Sequence, residues 1–254
     1  MRALLMGAFA TVALGAPALA DDFHPVDPEN LLVLDTTKGQ VIIELRPDIA
    51  PRHVERIRTL VRKGYYDSDV FYRVIPNFMD QTGEKEVNGA SASGLGPMSG
   101  EFSFKPQQPV ENVALNSGFS GDMAVAVDAD GRAWPKFCTG VAGFGHYADQ
   151  PDTADSQIFF MTVSQVYLDR NYTAWGRVIS GQPALNAIAP GEPPPVPDRI
   201  TKARIAADIP EAQRPKVSEA DPSTVTFKAA ISEVRDKEGD YFNICDVKPP
   251  VQIR

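Results

Sequence analysis

Apolar and polar positions alternate along this chain in short segments. "LLVLDTTKGQVIIELR" (31–46) holds two apolar, β-branched runs around Lys38-Gly39, which predicts a β-hairpin. From Ala50 to Lys63 the apolar residues Val54, Ile57, Leu60 and Val61 recur at helical spacing. Pro51 suits a first turn and Gly64 a stop, so this segment predicts one amphipathic helix. "DVFYRVI" (69–75) alternates as a strand does, and Pro76-Asn77 breaks it before "FMDQ". Residues 84–120 are rich in Gly, Ser, Pro and Asn with only short apolar pieces, which predicts long surface loops with little regular structure. "DMAVAVDA" (122–129), "GVAGFG" (140–145), "SQIFFMTV" (156–163) and "AWGRVIS" (174–180) give four further strands. "QPALNAIA" (182–189) gives a short helix. "PGEPPPVPD" (190–198) is a loop, because its prolines lack the amide hydrogen a ladder needs. "RITKARIAAD" (199–208) and "STVTFKAAISEV" (223–234) read as two last strands. Many short strands with turn signals, plus two helices, predict a mainly β fold: an antiparallel barrel or sandwich capped by helices, with no internal repeat.

Composition narrows this picture. A chain of 254 residues, 43% hydrophobic and 23% charged, suits one globular domain with extensions. Residues 1–20 carry Arg2, an apolar stretch, Pro17 and the small-x-small triplet Ala18-Leu19-Ala20. They read as a cleavable secretory signal ending at Ala20, with an uncleaved membrane anchor as the competing reading. No later apolar run reaches the roughly 18–20 residues that span a bilayer. The mature protein is therefore expected to be periplasmic or otherwise exported, without integral membrane association.

The formal net charge is −8; losing Arg2 with the signal leaves 24 Lys+Arg against 33 Asp+Glu, or −9. That balance argues against nucleic acid as a partner, since phosphate contacts need a concentrated basic surface. The basic cluster "PRHVERIRTLVRKG" (51–64) alternates with apolar residues and reads as a solvated helix face. Cys138 and Cys245 are the only cysteines. In an oxidising compartment they could form a disulfide or stay as two separate thiols, and spacing alone leaves both open. No CxxC or Cys/His ligand spacing occurs, so no metal is expected.

The usual catalytic constellations are missing. His24 falls in an N-terminal lead, His53 on the amphipathic helix, and His146 in a loop; no G-x-S-x-G accompanies them. "GASASGLGPMSG" (89–100) lacks the Lys-Ser/Thr of a P-loop. Asp149 and Asp152 suit loop caps better than an acid/base pair. What stands out is Arg73, set in the aromatic run "VFYRVIPNFMDQTGE" (70–84), together with "SQIFFMTVSQVYLDRNY" (156–172). An apolar pocket edged by a guanidinium suits a ligand with an apolar body and one acceptor.

These segments resemble the cyclophilins, the peptidyl-prolyl cis/trans isomerases whose signature is close to F-H-R-V-I-x-x-F-M-x-Q-G-G-D. Arg73, Phe78, Met79 and Gln81 fall at the family's spacing together, with Thr82 and Glu84 in place of the usual Gly and Asp. The likeness continues in "DTTKGQVIIELRPDIAPRHVERIRTLVRKGYY", in "TADSQIFFMT" and in "YLDRNYTAWGRVISG", covering about residues 30–207 in the family's order.

The resemblance implies a closed cyclophilin-like antiparallel β-barrel capped by two helices, with long loops. Its domain would span 30–209, after a lead at 21–29, with an insertion near 113–139 and a C-terminal extension at 210–254 packing on it. It implies Arg73 and Gln81 as catalytic residues. Phe78, Met79, Gln157, Phe159, Tyr167, Leu168 and Tyr172 would bind substrate, Tyr172 standing where many members have His. The groove stretch upstream of Ser156-Gln157 has two candidates, 143–146 by spacing and 122–125 by letters; spacing favours the first and places Phe144, Gly145 and His146 along the groove. The implied substrates are proline-containing polypeptides, with no cofactor, and a monomer is favoured. A cyclophilin-fold binding module or chaperone without useful turnover is the alternative, and a hydrolase built on His146 with Asp149 or Asp152 is a third reading.

Overall fold

The computed structural model describes residues 22–83, 86–87, 90–91 and 93–254. The proposed signal segment lies outside them. The lead forms a short strand, β1 (Phe23–Pro25). β2 (Leu31–Thr36) and β3 (Gly39–Leu45) then pair as the expected hairpin, Leu31 opposite Glu44 and Thr36 opposite Gly39. At the turn Gly39 takes φ +133°, a conformation open to glycine, and the Thr36 hydroxyl donates to its carbonyl at 2.7 Å.

Helix α1 (Pro51–Arg62) buries Val54, Ile57, Leu60 and Val61, the stripe read from the spacing, together with His53. Its N-cap position is Ala50, which has no side-chain acceptor. The acceptor comes from far away in sequence: the Glu101 carboxylate takes the amides of Arg52 (3.3 Å) and His53 (3.0 Å), and His53 Nδ1 lies 2.7 Å from it. A carboxylate at this end also meets the positive pole of the helix. The arginines of α1 do not simply form a solvated face. Arg56 bonds Asp155 and the carbonyls of Gly96 and Asp155, Arg58 bonds Asn30, and Arg62 bonds Glu29 and Asp208.

Strands β4 (Arg73–Ile75) and β5 (Met79–Thr82) follow, then two short pieces, β6 (Glu86–Val87) and β7 (Ala90–Ser91). The expectation of little regular structure up to residue 120 fails from Glu111 onward. β8 (Glu111–Ala114), β9 (Ser117–Ser120), β10 (Met123–Val127) and β11 (Ala133–Pro135) form a meander in the order β11-β10-β9-β8. Strands of four residues give too few alternations to be read as such. Gly118 is also required by contact, since a Cβ there would lie 2.1 Å from the Glu111 carbonyl oxygen.

The chain returns to the main sheet with β12 (Val141–Phe144), β13 (Ile158–Met161) and β14 (Thr173–Ser180), then α2 (Gln182–Asn186) and β15 (Ile200–Ile205). The eight-stranded order is β15-β2-β3-β14-β12-β13-β5-β4. The two ends of this order meet: Val70 bridges Arg199, the Phe71 amide donates to Asp198 O at 2.9 Å, and the Ile200 amide donates to Asp69 O at 2.8 Å. The sheet therefore curls round on itself, with Tyr66, Phe71, Phe160 and Trp175 fully buried and α1 laid against β14 and β15.

The two termini meet: β1 pairs with β16 (Val217–Ala220), which pairs in turn with β17 (Val251–Ile253). One correction concerns the C-terminal extension. "STVTFKAAISEV" is not a strand but part of a third helix, α3 (Val225–Glu238). Its β-branched residues suggested a strand, but the Thr224 side chain caps it by accepting from the Phe227 amide, and Phe227 and Ile231 bury one face four residues apart. Phe227 packs edge-on to Phe119 of β9 at 4.9 Å, so the extension and the meander share a core. Cys138 and Cys245 are disulfide-bonded, with Cα atoms 5.1 Å apart across 107 residues of sequence. That outcome decides between the two alternatives the sequence left open.

Candidate active site

Register places the key side chains. Arg73 of β4 lies opposite Gln81 of β5, and Gln81 lies opposite Phe159 of β13. Side chains alternate along a strand, so Met79 and Gln81 share the outward face while Asp80 between them turns into the barrel. Gly143 of β12 lies opposite Phe159, and its missing side chain makes room: a Cβ there would stand 2.2 Å from the Phe159 ring.

The outward face forms one cleft of about 1000 Å³. Arg73, Phe78, Met79, Gln81, Gly145, His146, Gln157, Phe159, Tyr167, Leu168 and Tyr172 all line it. Phe144 does not. The same alternation that presents Gly143 outward turns Phe144 inward, where it is fully buried with its ring 4.9 Å from that of His53. It belongs to the core, not the groove.

The apolar floor is made by Met79, Phe159 and Leu168, each at most 5% exposed, with Phe78 and Tyr167 at the rim, ring centres 6.0 Å apart. Phe159 stands between Phe137, stacked at 5.9 Å, and Tyr172, edge-on at 5.6 Å. A polar row crosses this floor. Arg73 Nη1 donates to Gln81 Oε1 at 3.1 Å, Gln81 Nε2 donates to Gln157 Oε1 at 3.0 Å, and the Tyr72 hydroxyl donates to the same oxygen at 3.2 Å. Arg73 Nε donates to Glu192 Oε2 at 2.7 Å. The guanidinium is thus fixed from two sides while about a third of the side chain stays exposed to the cleft.

His146 stacks on Tyr172 at 4.3 Å, and its two ring nitrogens lie 2.9 Å from Tyr147 O and 3.0 Å from Asn171 O. Both nitrogens face main-chain carbonyls instead of Asp149 or Asp152, which removes the basis of the hydrolase reading. Asp80 is 2% exposed, its Oδ2 has no hydrogen-bond partner among the described residues, and burial pushes its carboxyl up to about 7. Asp169 is also raised, chiefly by burial, although it accepts the Phe137 amide at 2.8 Å.

Several residues of the site carried no sequence signal. Glu192 comes from the Pro-rich loop, and nothing local marks it as a partner of Arg73. Tyr72 adjoins Arg73, and its alternation with that residue hid a hydroxyl long enough to reach Gln157. Phe102 and Arg170 also line the cleft, and the Arg170 guanidinium lies 4.7 Å from the Trp134 ring centre of β11. With Phe137 behind Phe159, this makes the end of the inserted meander a buttress of the cleft wall.

A family model described as "Cyclophilin type peptidyl-prolyl cis-trans isomerase/CLD" matches residues 31–205. A Brucella suis protein named "Probable peptidyl-prolyl cis-trans isomerase" is 35% identical over 211 residues, covering 81% of this chain and 96% of that one. "Peptidyl-prolyl cis-trans isomerase-like 1" of Gibberella zeae is 31% identical, covering 70% and 95%. Among solved structures, cyclophilin AquaCyp293 from Hirschia baltica superposes with a TM-score of 0.80 at 28% identity, covering 96% of this chain and 98% of that one. A Cryptosporidium parvum cyclophilin-type isomerase, crystallised in the presence of the dipeptide Ala-Pro, shares the fold at 18% identity with a TM-score of 0.50, covering 69% of this chain and 98% of that one.

Proposed function

The chain belongs to the cyclophilin-type peptidyl-prolyl cis-trans isomerases, and from that premise we propose that it accelerates X-Pro isomerisation in exported proteins, with Arg73 stabilising the twisted amide. The observation that carries this is the doubly held guanidinium at the edge of an apolar floor.

Amide resonance gives the prolyl bond a rotational barrier of about 18–20 kcal/mol. As the bond twists, resonance is lost, and the prolyl nitrogen becomes pyramidal with a lone pair that the planar ground state does not offer. A cation placed beside that nitrogen binds the twisted state in preference to the planar one, which lowers the barrier. Glu192 and Gln81 occupy Nε and Nη1, so the guanidinium plane is set before substrate arrives. Arginine suits this better than lysine because the fork stays charged and planar. Met79, Phe159 and Leu168 hold the proline ring while the acyl side rotates, and Gln81 orients the substrate backbone. An acceleration of about 10⁵ corresponds to roughly 7 kcal/mol. No covalent step enters.

The domain is read as 30–209 with an insertion near 113–139, and 210–254 as an extension packed on it. The signal-like residues 1–20 and the disulfide between Cys138 and Cys245 support export to an oxidising compartment. N-terminal sequencing of the protein purified from its source is expected to begin at Asp21; a cytosolic protein retaining Met1 would refute the export reading.

A protease-coupled isomerisation assay on a proline tetrapeptide tests the catalytic reading. Arg73→Ala is expected to lower kcat/KM by about 10²–10³, the range for losing one preorganised charge-stabilising group. Equal rates for the two proteins would overturn the role of Arg73.

A further inference from the structure

We propose that Glu44, Asp122 and Glu219 form a binding site for a hard divalent cation of the Ca²⁺ type, at the seam joining the barrel, the inserted meander and the C-terminal sheet. Glu44 lies on β3, Asp122 immediately precedes β10, and Glu219 lies on β16. Each offers one carboxylate oxygen, and these atoms all lie within 4.8 Å of one another. Two oxygens bound to one Ca²⁺ at about 2.3–2.6 Å stand at most about 5 Å apart, whereas Mg²⁺ at about 2.0–2.1 Å allows only about 4 Å. Separations of up to 4.8 Å lie within the reach of Ca²⁺.

All three residues are buried, with 6%, 1% and 9% of their surfaces exposed. Glu44 Oε2 and Glu219 Oε2 are buried with no hydrogen-bond partner among the described residues. An ionised carboxylate left in that state costs several kcal/mol, so it calls for a positive partner. The neighbouring cations face Asp122 and Asp48, although Arg177 Nη2 is itself buried without a hydrogen-bond partner among the described residues. Arg46 bonds Asp122 Oδ1 at 2.8 Å and Asp48 Oδ2 at 2.7 Å, and Arg177 bonds Asp122 Oδ2. His24 Nε2 lies 3.2 Å from Glu219 Oε1, with half of its side chain in solvent. Two guanidinium groups thus face four carboxylates, Glu44, Asp48, Asp122 and Glu219. The two uncompensated negative charges equal the charge of one divalent cation. Protons on Glu44 and Glu219, shared or one on each, would neutralise the same charge, as burial favours for both carboxyls, and protonation is the rival occupant.

Calorimetric titration and thermal unfolding of the mature, disulfide-bonded protein, first treated with chelator, test this at pH 7.5 with CaCl₂ and MgCl₂. Ca²⁺ is expected to bind one to one and to raise Tm by about 3 °C or more at saturation, with a smaller effect of Mg²⁺. Glu44→Gln and Glu219→Gln are expected to fold, to keep isomerase activity, and to lose the Ca²⁺-dependent rise. The wild-type titration does not depend on either variant folding. The proposal fails if neither ion binds saturably or moves Tm. It fails equally if Glu44→Gln keeps the Ca²⁺ response, and a rise in Tm of Glu44→Gln without any cation would identify protonation instead.

Discussion

Gly143 and Asp80 show how closely single positions are constrained around the cleft. Any side chain at 143 collides with the ring that floors the pocket, so Gly143→Ala displaces Phe159 at the place proposed for the proline ring. The expected result is a rise in KM of about 10-fold, the effect of losing roughly 1–2 kcal/mol of ring contact. Peptide titration with steady-state kinetics checks it, and an unchanged KM would contradict the placement of Phe159 as the floor. Asp80 acts on stability. Its folded-state pKa, pushed up to about 7 by burial, exceeds the ordinary carboxylate value, so the folded protein holds a proton that the unfolded chain releases. Its contribution is fully present below the ordinary carboxylate value and is lost as pH rises through about 7. Asp80→Asn, neutral throughout, should match the wild type near pH 4 and exceed it near pH 8 by a few kcal/mol, of order 2–4. Urea unfolding at the two pH values decides: an offset independent of pH would mean that Asp80 does not titrate as described.

At the scale of elements, what the sequence made legible depended on how local the signal was. The β2–β3 hairpin and α1 are governed by alternation and by a stripe at helical spacing, and both fold as read. α3 was misread because Val225 and Thr226 favour strands. The competing signals, Thr224 as a cap and Phe227 with Ile231 on one face, were present but became decisive only when a partner, Phe119, covered that face. Phe144 was misplaced for a related reason. Gly145 and His146 of that stretch line the cleft, but a position in it does not say which side of β12 a residue takes. The cap of α1 could not be read at all, because its acceptor is Glu101, nearly fifty positions further along the chain. Glu101→Ala should therefore destabilise the protein by about 1–2 kcal/mol through lost capping of the Arg52 and His53 amides. Chemical denaturation measures this, and a loss below about 0.3 kcal/mol would assign the helix end to other donors and acceptors. The carboxyl of Glu101 is held below its ordinary value by its bonds to His53 and Arg52, against the opposing effect of burial. This contribution is present above the ordinary carboxylate value and fades as pH falls below it, opposite in sign to that of Asp80.

For the molecule as a whole, the family's motifs identified the barrel and most of the cleft, while the meander and the extension had no such guide. These two parts pack on each other through Phe119 and Phe227, are joined by Cys138–Cys245, and reach the cleft through Phe137 and Trp134. The pocket wall is thus supported by the segments that the motifs do not cover. Glu192 holds the guanidinium of Arg73, the group proposed to act on the twisted amide. Arg73 is proposed to bind the twisted amide more strongly than the planar one. Two-dimensional NMR exchange on a saturating proline peptide, comparing wild type with Arg73→Lys, separates ground-state affinity from the rate on the enzyme. Preferential binding of the twisted state predicts a Kd within about 3-fold of wild type and an exchange rate lower by about 10-fold or more, since lysine keeps the charge but not the held planar fork. An unchanged exchange rate, or a loss confined to Kd, would contradict it.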